Sequence, residues 1–438
     1  MQKAITSNRI GTMLAAAAMS VAAVAATGAQ AKDAIKIAVP AFLSGGAAGP
    51  FGVPARNGAE IVIDAINKGT LPAPYNTKGF AGATASVDFI DESGGSTKQV
   101  AEYRNLVQKR GMDVVIGYIS SGSCVALAPV IEELKTLTVL ATCGTPRIFE
   151  DHSWKYTFRT MGHATSDNVA AALYVASDLP DVNTYTGINQ NYAWGQDSWR
   201  DFDLTMQQVK PSSKASDKLQ FPKIFAGQYG TEISALSLDK SDLVHSSFWG
   251  GDLEAFIFQG AARGLYKKKK VVLTVGGTAS YRLGKKMPDG VVLGARGPYG
   301  ILVRDRKTAL NEWFINTYKN RYGTYPSGPA YQYGQAVLAT KIAFDKAAAA
   351  AGGYPTQDQV IDAFTGMEFE SFSTTVKMAL GKGHQAITEN GYGITKYDSE
   401  EGEPGVTDVK FFPAECVMPP EGVSSVDWIK GGMKGAKC

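Results

Sequence analysis

One pattern limits what this chain can become more than any other: strands alternate with helices through a complete set, and the rhythm then starts again. Ile35-Lys36-Ile37-Ala38-Val39 reads as a strand, and a loop of small residues over 43–52 leads into a helical pattern over 53–68 that Gly69 stops. A strand near 85–90, a helix near 96–109, a strand at 114–116, a helix near 125–135 and a strand at 137–141 follow. The second set has a helix near 166–177, a strand at 184–188 and a helix from about 196 to 209. A strand over 244–248, a helix over 252–263 and a strand at 271–274 complete it. This alternation predicts an α/β fold of parallel-rich sheets flanked by helices. Two such sets, in a chain of 438 residues, predict two lobes. Beyond Pro298, helical stretches are expected over 311–321 and 331–350, and 369–438 reads as short strands and irregular chain.

The N-terminus gives an address. Lys3 and Arg9 precede an apolar, alanine-rich run over 13–26, and Ala29-Gln30-Ala31 offers the small residues a signal peptidase accepts. A secretory leader over 1–31 is therefore expected, with an exported, periplasmic chain starting near Lys32. The chain has 44 basic and 41 acidic residues; without Lys3 and Arg9 the counts are 42 and 41, a net of +1. Such a balance makes no electrostatic case for nucleic acid or anionic lipid. The one basic cluster, Lys267 to Lys270, reads as a solvated turn. Four cysteines in an exported chain suggest two disulfides. Of three pairings, Cys124–Cys143 with Cys416–Cys438 closes the shortest loops, the alternative for the first pair being buried free thiols.

Catalytic signatures are sparse. No G-x-S-x-G, G-x-G-x-x-G, P-loop, H-E-x-x-H or C-x-x-C occurs, and the chain has four histidines, His152, His163, His245 and His384. No cofactor and no metal is expected. A hydrolase using Ser123 with His163 or His384 as base stays open as a minor alternative. The stretch GYISSGSC, 117–124, has more to say about binding. A strand that ends in small hydroxylated residues and then a helix places N–H groups, hydroxyls and a positive dipole end at one sheet edge, an arrangement suited to a carboxylate. Helix capping by Ser121 or Ser123 is the plainer reading of the same residues. The next strand ends in Ala141-Thr142-Cys143-Gly144-Thr145-Pro146, again small and polar, beside the first loop.

Taken in order, IKIAVPAFLSGGAAGPFGVPARNGAEIVIDAINKG, GYISSGSCVALAPVIEELKTLTVLATCGTP, KYTFRTMG, NYAWGQDSW, SSFWGGDLEAF and GPAYQYGQAVLATKIAFDKA resemble the branched-chain amino-acid-binding family of periplasmic proteins, substrate receptors of ABC importers. The likeness runs from Ile35 to about Thr375. It implies the two-lobed periplasmic binding protein fold (type I), with three crossovers and a ligand in the interlobe cleft on which the lobes close. On that frame the first lobe takes 32–159 and 296–374. The second takes 160–295 and 375–438, ending in an extension clipped by Cys416 and Cys438.

The resemblance also implies site residues. Ser121 matches the serine that binds a ligand carboxylate, and Thr142, Cys143 and Gly144 match the second carboxylate-facing loop, with Ser123 beside them. Phe51, Trp194 and Trp249 fall where aromatic walls are placed. One departure stands out: where amino-acid binders carry an acid for the ligand ammonium, this chain has Val275-Gly276-Gly277-Thr278-Ala279-Ser280. An unpaired buried ammonium is strongly penalised. Either Asp252 or Glu254 substitutes, or the ligand lacks an α-ammonium. The function expected is a monomeric, non-enzymatic solute-binding protein serving an inner-membrane ABC permease. Its ligand is a branched-chain-type amino acid or a related, aromatic or apolar carboxylate. Alternatives are a ligand sensor of the same fold or a binder of urea or short amides.

Overall fold

The computed structural model describes residues 32–438; the expected leader lies outside the described residues. Five strands open the first sheet: β1 (Ala34–Ala41), β2 (Thr84–Asp91), β3 (Val114–Gly117), β4 (Thr138–Leu140) and β5 (Thr157–Arg159). Five more open the second: β6 (Thr184–Gly187), β7 (Lys214–Ala215), β8 (Leu243–Ser246), β9 (Lys270–Leu273) and β10 (Val292–Gly294). The chain then returns to the first sheet for β11 (Glu368–Glu370), β12 (Thr375–Leu380) and β13 (Gln385–Ile387), and finishes the second with β14 (Asn390–Asp398) and β15 (Glu403–Phe412). The sheet orders are β11-β12-β13-β5-β4-β3-β1-β2 and β15-β14-β10-β9-β8-β6-β7. Strand β1 sits between β2 and β3, and from Ile37 onward every residue is buried, as a strand covered on both faces requires.

Within each sheet the first five strands run parallel, and antiparallel hairpins finish one edge. Three crossings join the lobes, after β5, after β10 and between β13 and β14. The last of these falls later than the sequence frame placed it. Residues 375–387 belong to the first sheet because β12 pairs back on β11 and β13 lies beside β5 before the chain crosses. The closing segment is also more regular than expected, since β14 and β15 form one long hairpin. Beyond it the sulfurs of Cys416 and Cys438 stand at bonding distance, and between them Trp428 and Ile429 pack with Val169, Phe202 and Met206 of the second lobe. The lysine cluster is solvated at Lys267 and Lys268 but is not a turn: these two end the short helix Leu265–Lys268, Lys270 opens β9, and Lys269 Nζ donates to the Asp239 carbonyl.

These sheets point the carboxyl ends of β1, β2 and β3 at those of β6, β8 and β9, the place where open α/β sheets hold ligands.

Candidate functional site in the interlobe cleft

On the first-lobe side the site starts beneath the serine loop. Glu92, just past the end of β2, is fully buried and accepts the N–H groups of Ile119 (2.7 Å) and Ser120 (2.8 Å). Burial pushes its carboxyl up to about 8, against the pull of those two hydrogen bonds. Part of the anion cradle expected at this helix N-terminus is thus already filled from inside the protein. Ser121 opens the helix Ser121–Leu134, and its Oγ accepts the N–H groups of Gly144 and Thr145, each at 3.2 Å. With both backbone donors on its oxygen, the Ser121 hydroxyl proton is free to donate elsewhere. The sulfurs of Cys124 and Cys143 stand at bonding distance and tie these two loops together.

Aromatic side chains dominate the facing lobe. Trp194 Nε1 donates to the Ser247 carbonyl (2.8 Å), which fixes its ring at the end of β8. Trp249 Nε1 donates to the Tyr192 hydroxyl (2.7 Å), leaving the Tyr192 proton free. The Trp249 ring is wedged against Phe42 (5.7 Å) and Phe51 (5.3 Å) of the first lobe and Phe225 (5.5 Å) of its own. Aromatic pairs at such distances prefer these edge-on and tilted packings. Helix Gly250–Ala262 comes so near the first lobe that a Cβ on Gly251 would lie 2.7 Å from the Gly46 carbonyl oxygen. The lobes are shut.

The decisive side chain comes from the second crossing. Arg296 follows β10 in a left-handed conformation, φ 59°, and lays its guanidinium 4.3 Å over the Trp194 ring. Its Nη1 donates to the Thr142 carbonyl and its Nε reaches Asp167 at 3.5 Å. Burial draws its pKa below the ordinary arginine value, Asp167 opposing, and at neutral pH the group stays a cation. Its buried Nη2 has no partner among the described residues. Gly144 makes the arrangement feasible, because a Cβ there would lie 2.3 Å from both Arg296 Nη2 and the Trp194 ring.

Between these groups lies a cavity of about 10 Å³, the room of one water, so a ligand enters only when the lobes part. Phe51, Ile119, Ser121 and Gly144 line it from one lobe, Tyr192, Trp194, Trp249 and Val275 from the other, with Arg296 between. Of the residues expected from sequence, Phe51, Ser121, Gly144, Trp194 and Trp249 come together here. Ser123, Thr142 and Cys143 are buried beside the cavity without lining it; the last two turn backbone carbonyls to Arg296 and Arg159. Neither acid proposed as a substitute is present. Asp252 is spent on Gln190 and the N–H groups of Phe225 and Gly227, and Glu254 pairs with Arg282 at 2.7 Å. The histidines weighed as bases for Ser123 are engaged elsewhere: His163 with Thr165, His384 with Thr157 and Thr365.

A periplasmic binding protein profile matches residues 34–401. The chain belongs to the periplasmic binding protein family. Solved structures agree on the fold. A solute-binding protein of an ABC transporter from Rhodopseudomonas palustris BisB5, in complex with 3,4-dihydroxybenzoic acid, superposes with a TM-score of 0.74 at 19% identity, covering 87% of this chain and 98% of that one. A second R. palustris solute-binding protein, in complex with benzoate, gives 0.74 at 18%, covering 89% and 99%. A leucine-binding protein from Thermotoga maritima MSB8 gives 0.69 at 17%, covering 86% and 98%. A search of curated sequences finds no match. Among the described residues of this family member, no helix is long and apolar enough to cross a membrane.

Proposed function

We propose that this periplasmic binding protein delivers a small, amine-free aromatic carboxylate to an ABC importer. One observation carries the reading: the unpaired polar groups of the cavity are donors. Arg296 Nη2, the Ser121 hydroxyl and the Tyr192 hydroxyl all have protons to give, and no carboxylate lines the cavity. A carboxylate ligand would take these donors, each charged hydrogen bond contributing about 1.5–3 kcal/mol. An α-ammonium would meet Arg296 and no acid. The three aromatic rings suit a flat apolar body, and two of the similar solute-binding proteins hold benzoates.

Transport follows from population shift: ligand contacts from both lobes favour the shut jaw, which an inner-membrane permease then recognises. The role is binding, with no covalent chemistry. The leader over 1–31 would direct export, and the two cysteine pairs would oxidise in the periplasm, where the protein works as a monomer. The lobe frame is 32–159 with 296–387, and 160–295 with 388–438.

A second reading, an amino-acid binder, draws on the likeness to the leucine-binding protein. Thermal-shift titration separates the two, using protein unfolded, dialysed and refolded to strip carried ligand. Benzoate and phenylpyruvate are expected to raise the midpoint, by about 2.7 kcal/mol of stability at 100 times the dissociation constant. Leucine and phenylalanine are expected to leave it unchanged; a shift with these alone would overturn the proposal.

A further inference from the structure

A cavity of about 330 Å³ lies on the far side of the hinge from the cleft, within the size range of small-molecule sites. The first lobe supplies Phe149, Glu150 and Leu380 at the end of β12, the first crossing His163, and the extension Pro420 and Val423. The extension closes this space as it passes from the second-lobe core back over the first lobe, where Ser425 donates its N–H to Glu150 Oε1 (3.0 Å).

Two polar groups, one buried and one half-buried, face the opening and are not satisfied by each other. His163 is 2% exposed, and its Nδ1 accepts the Thr165 N–H, so the neutral ring carries its proton on Nε2. Burial holds this imidazole well below its usual range, with Arg159, Arg200 and Arg296 acting in the same direction. Nε2 lies 3.9 Å from Glu150 Oε1, too far for a hydrogen bond. Oε1 is occupied by Ser425, while Glu150 Oε2 makes no hydrogen bond within the described residues.

A donor and an acceptor side by side on one wall are completed by a group that both accepts and donates. An ammonium would leave the His163 N–H without an acceptor. A carboxylate would meet three acids, Glu150, Asp151 and Glu421, against one lysine, Lys382. A hydroxyl accepts from Nε2 and donates to Oε2. Among the other lining residues, Phe149, Leu380, Pro420 and Val423 are apolar and suit the C–H face of a ring, while Ser153, Gln385 and Ser424 add neutral polar groups for further hydroxyls. We propose that this back cavity is a second binding site, for an uncharged hydroxylated molecule of monosaccharide or cyclitol size.

Saturation-transfer NMR on the full chain tests this with glucose and myo-inositol as probes, and benzylamine as the cationic control. Saturable transfer to glucose or inositol is expected. It should weaken at least tenfold in Val423→Trp, which fills the cavity from its exposed rim, with melting temperature and benzoate binding unchanged. No saturable transfer from either polyol would overturn the proposal. Equal polyol binding by Val423→Trp, or binding of benzylamine alone, would do the same.

Discussion

Among the side chains that line the cleft cavity, the unpaired polar groups of Arg296, Ser121 and Tyr192 are donors, whereas behind the hinge His163 donates and Glu150 accepts. The cleft is shut to the room of one water, and the back cavity stays about 330 Å³ with the lobes in the same position. The difference teaches how each region handles desolvation. A cation such as Arg296 can be kept half-paired where a ligand brings the counter-charge and the lobes can open to admit it. A cavity that does not close is left with groups whose needs a neutral hydroxyl, or water, can meet.

The sharpest way to break this contrast is to remove the cation. Arg296→Met is expected to weaken benzoate binding by at least about 3 kcal/mol, more than a hundredfold, in isothermal titration. Polyol transfer at the back cavity should persist. Retained benzoate affinity would mean that the cleft is not organised around an anion.

A smaller effect comes from the acid under the serine loop. Folding raises the Glu92 carboxyl from its ordinary 4.5 to about 8, so the folded protein holds a proton that the unfolded chain has lost. The stability tied to that proton is complete below about pH 4.5 and is lost as pH rises towards 8. Relative to Glu92→Gln, the wild type should therefore lose about 2 kcal/mol between pH 6 and 7.5. Asp167 and Asp201, each raised to about 6 by burial, act in both proteins and drop out of the difference. Denaturant unfolding at the two pH values measures it, and parallel curves would mean that Glu92 titrates as an exposed acid does.

Arg296 and Glu92 also mark where the sequence stopped being readable. The sheets and the serine loop were legible because hydrophobic periodicity and small-residue loops are local signals, whereas the hinge was implied by the resemblance alone. The aromatic walls came through the resemblance. Arg296 stands in Ala295-Arg296-Gly297-Pro298, about 175 positions after Ser121, with no pattern linking the two. A signal did exist: both residues lie one or two positions past the end of an apolar strand, as Ser121 does within four. Strand ends are where open α/β sheets hold ligands, and the cation and the buried acid both stand at one. The third crossing was missed for another reason. Hairpin strands at a sheet edge carry no mark of which sheet they join, and β12 and β13 are fixed by pairing partners distant in sequence.

Next in size is Ser121→Ala. It removes one donor to the ligand, worth about 1.5 kcal/mol or roughly tenfold in affinity, and strips the acceptor from Gly144 and Thr145 N–H. Benzoate titration should show the loss. Unchanged affinity would assign Ser121 to loop anchoring alone.

The least costly change tests what joins the two regions. Between cleft and back cavity, Thr145 Oγ1 donates to Asp197 Oδ2 and Arg147 Nη2 to Asp197 Oδ1, both at 2.7 Å, clasping the first lobe to the second. Asp197 is fully buried, but Arg200 of its own helix also reaches it at 3.0 Å, so losing Arg147 does not strand the charge. Arg147 itself is 40% exposed, and exposed pairs contribute about 0.2–1 kcal/mol. Arg147→Ala should therefore weaken benzoate binding only a few-fold, through faster dissociation, since the clasp forms after the ligand is in the cleft. Stopped-flow displacement separates the two rates. A slower association instead would place the clasp in the open protein, where it would hold the hinge rather than the shut jaw.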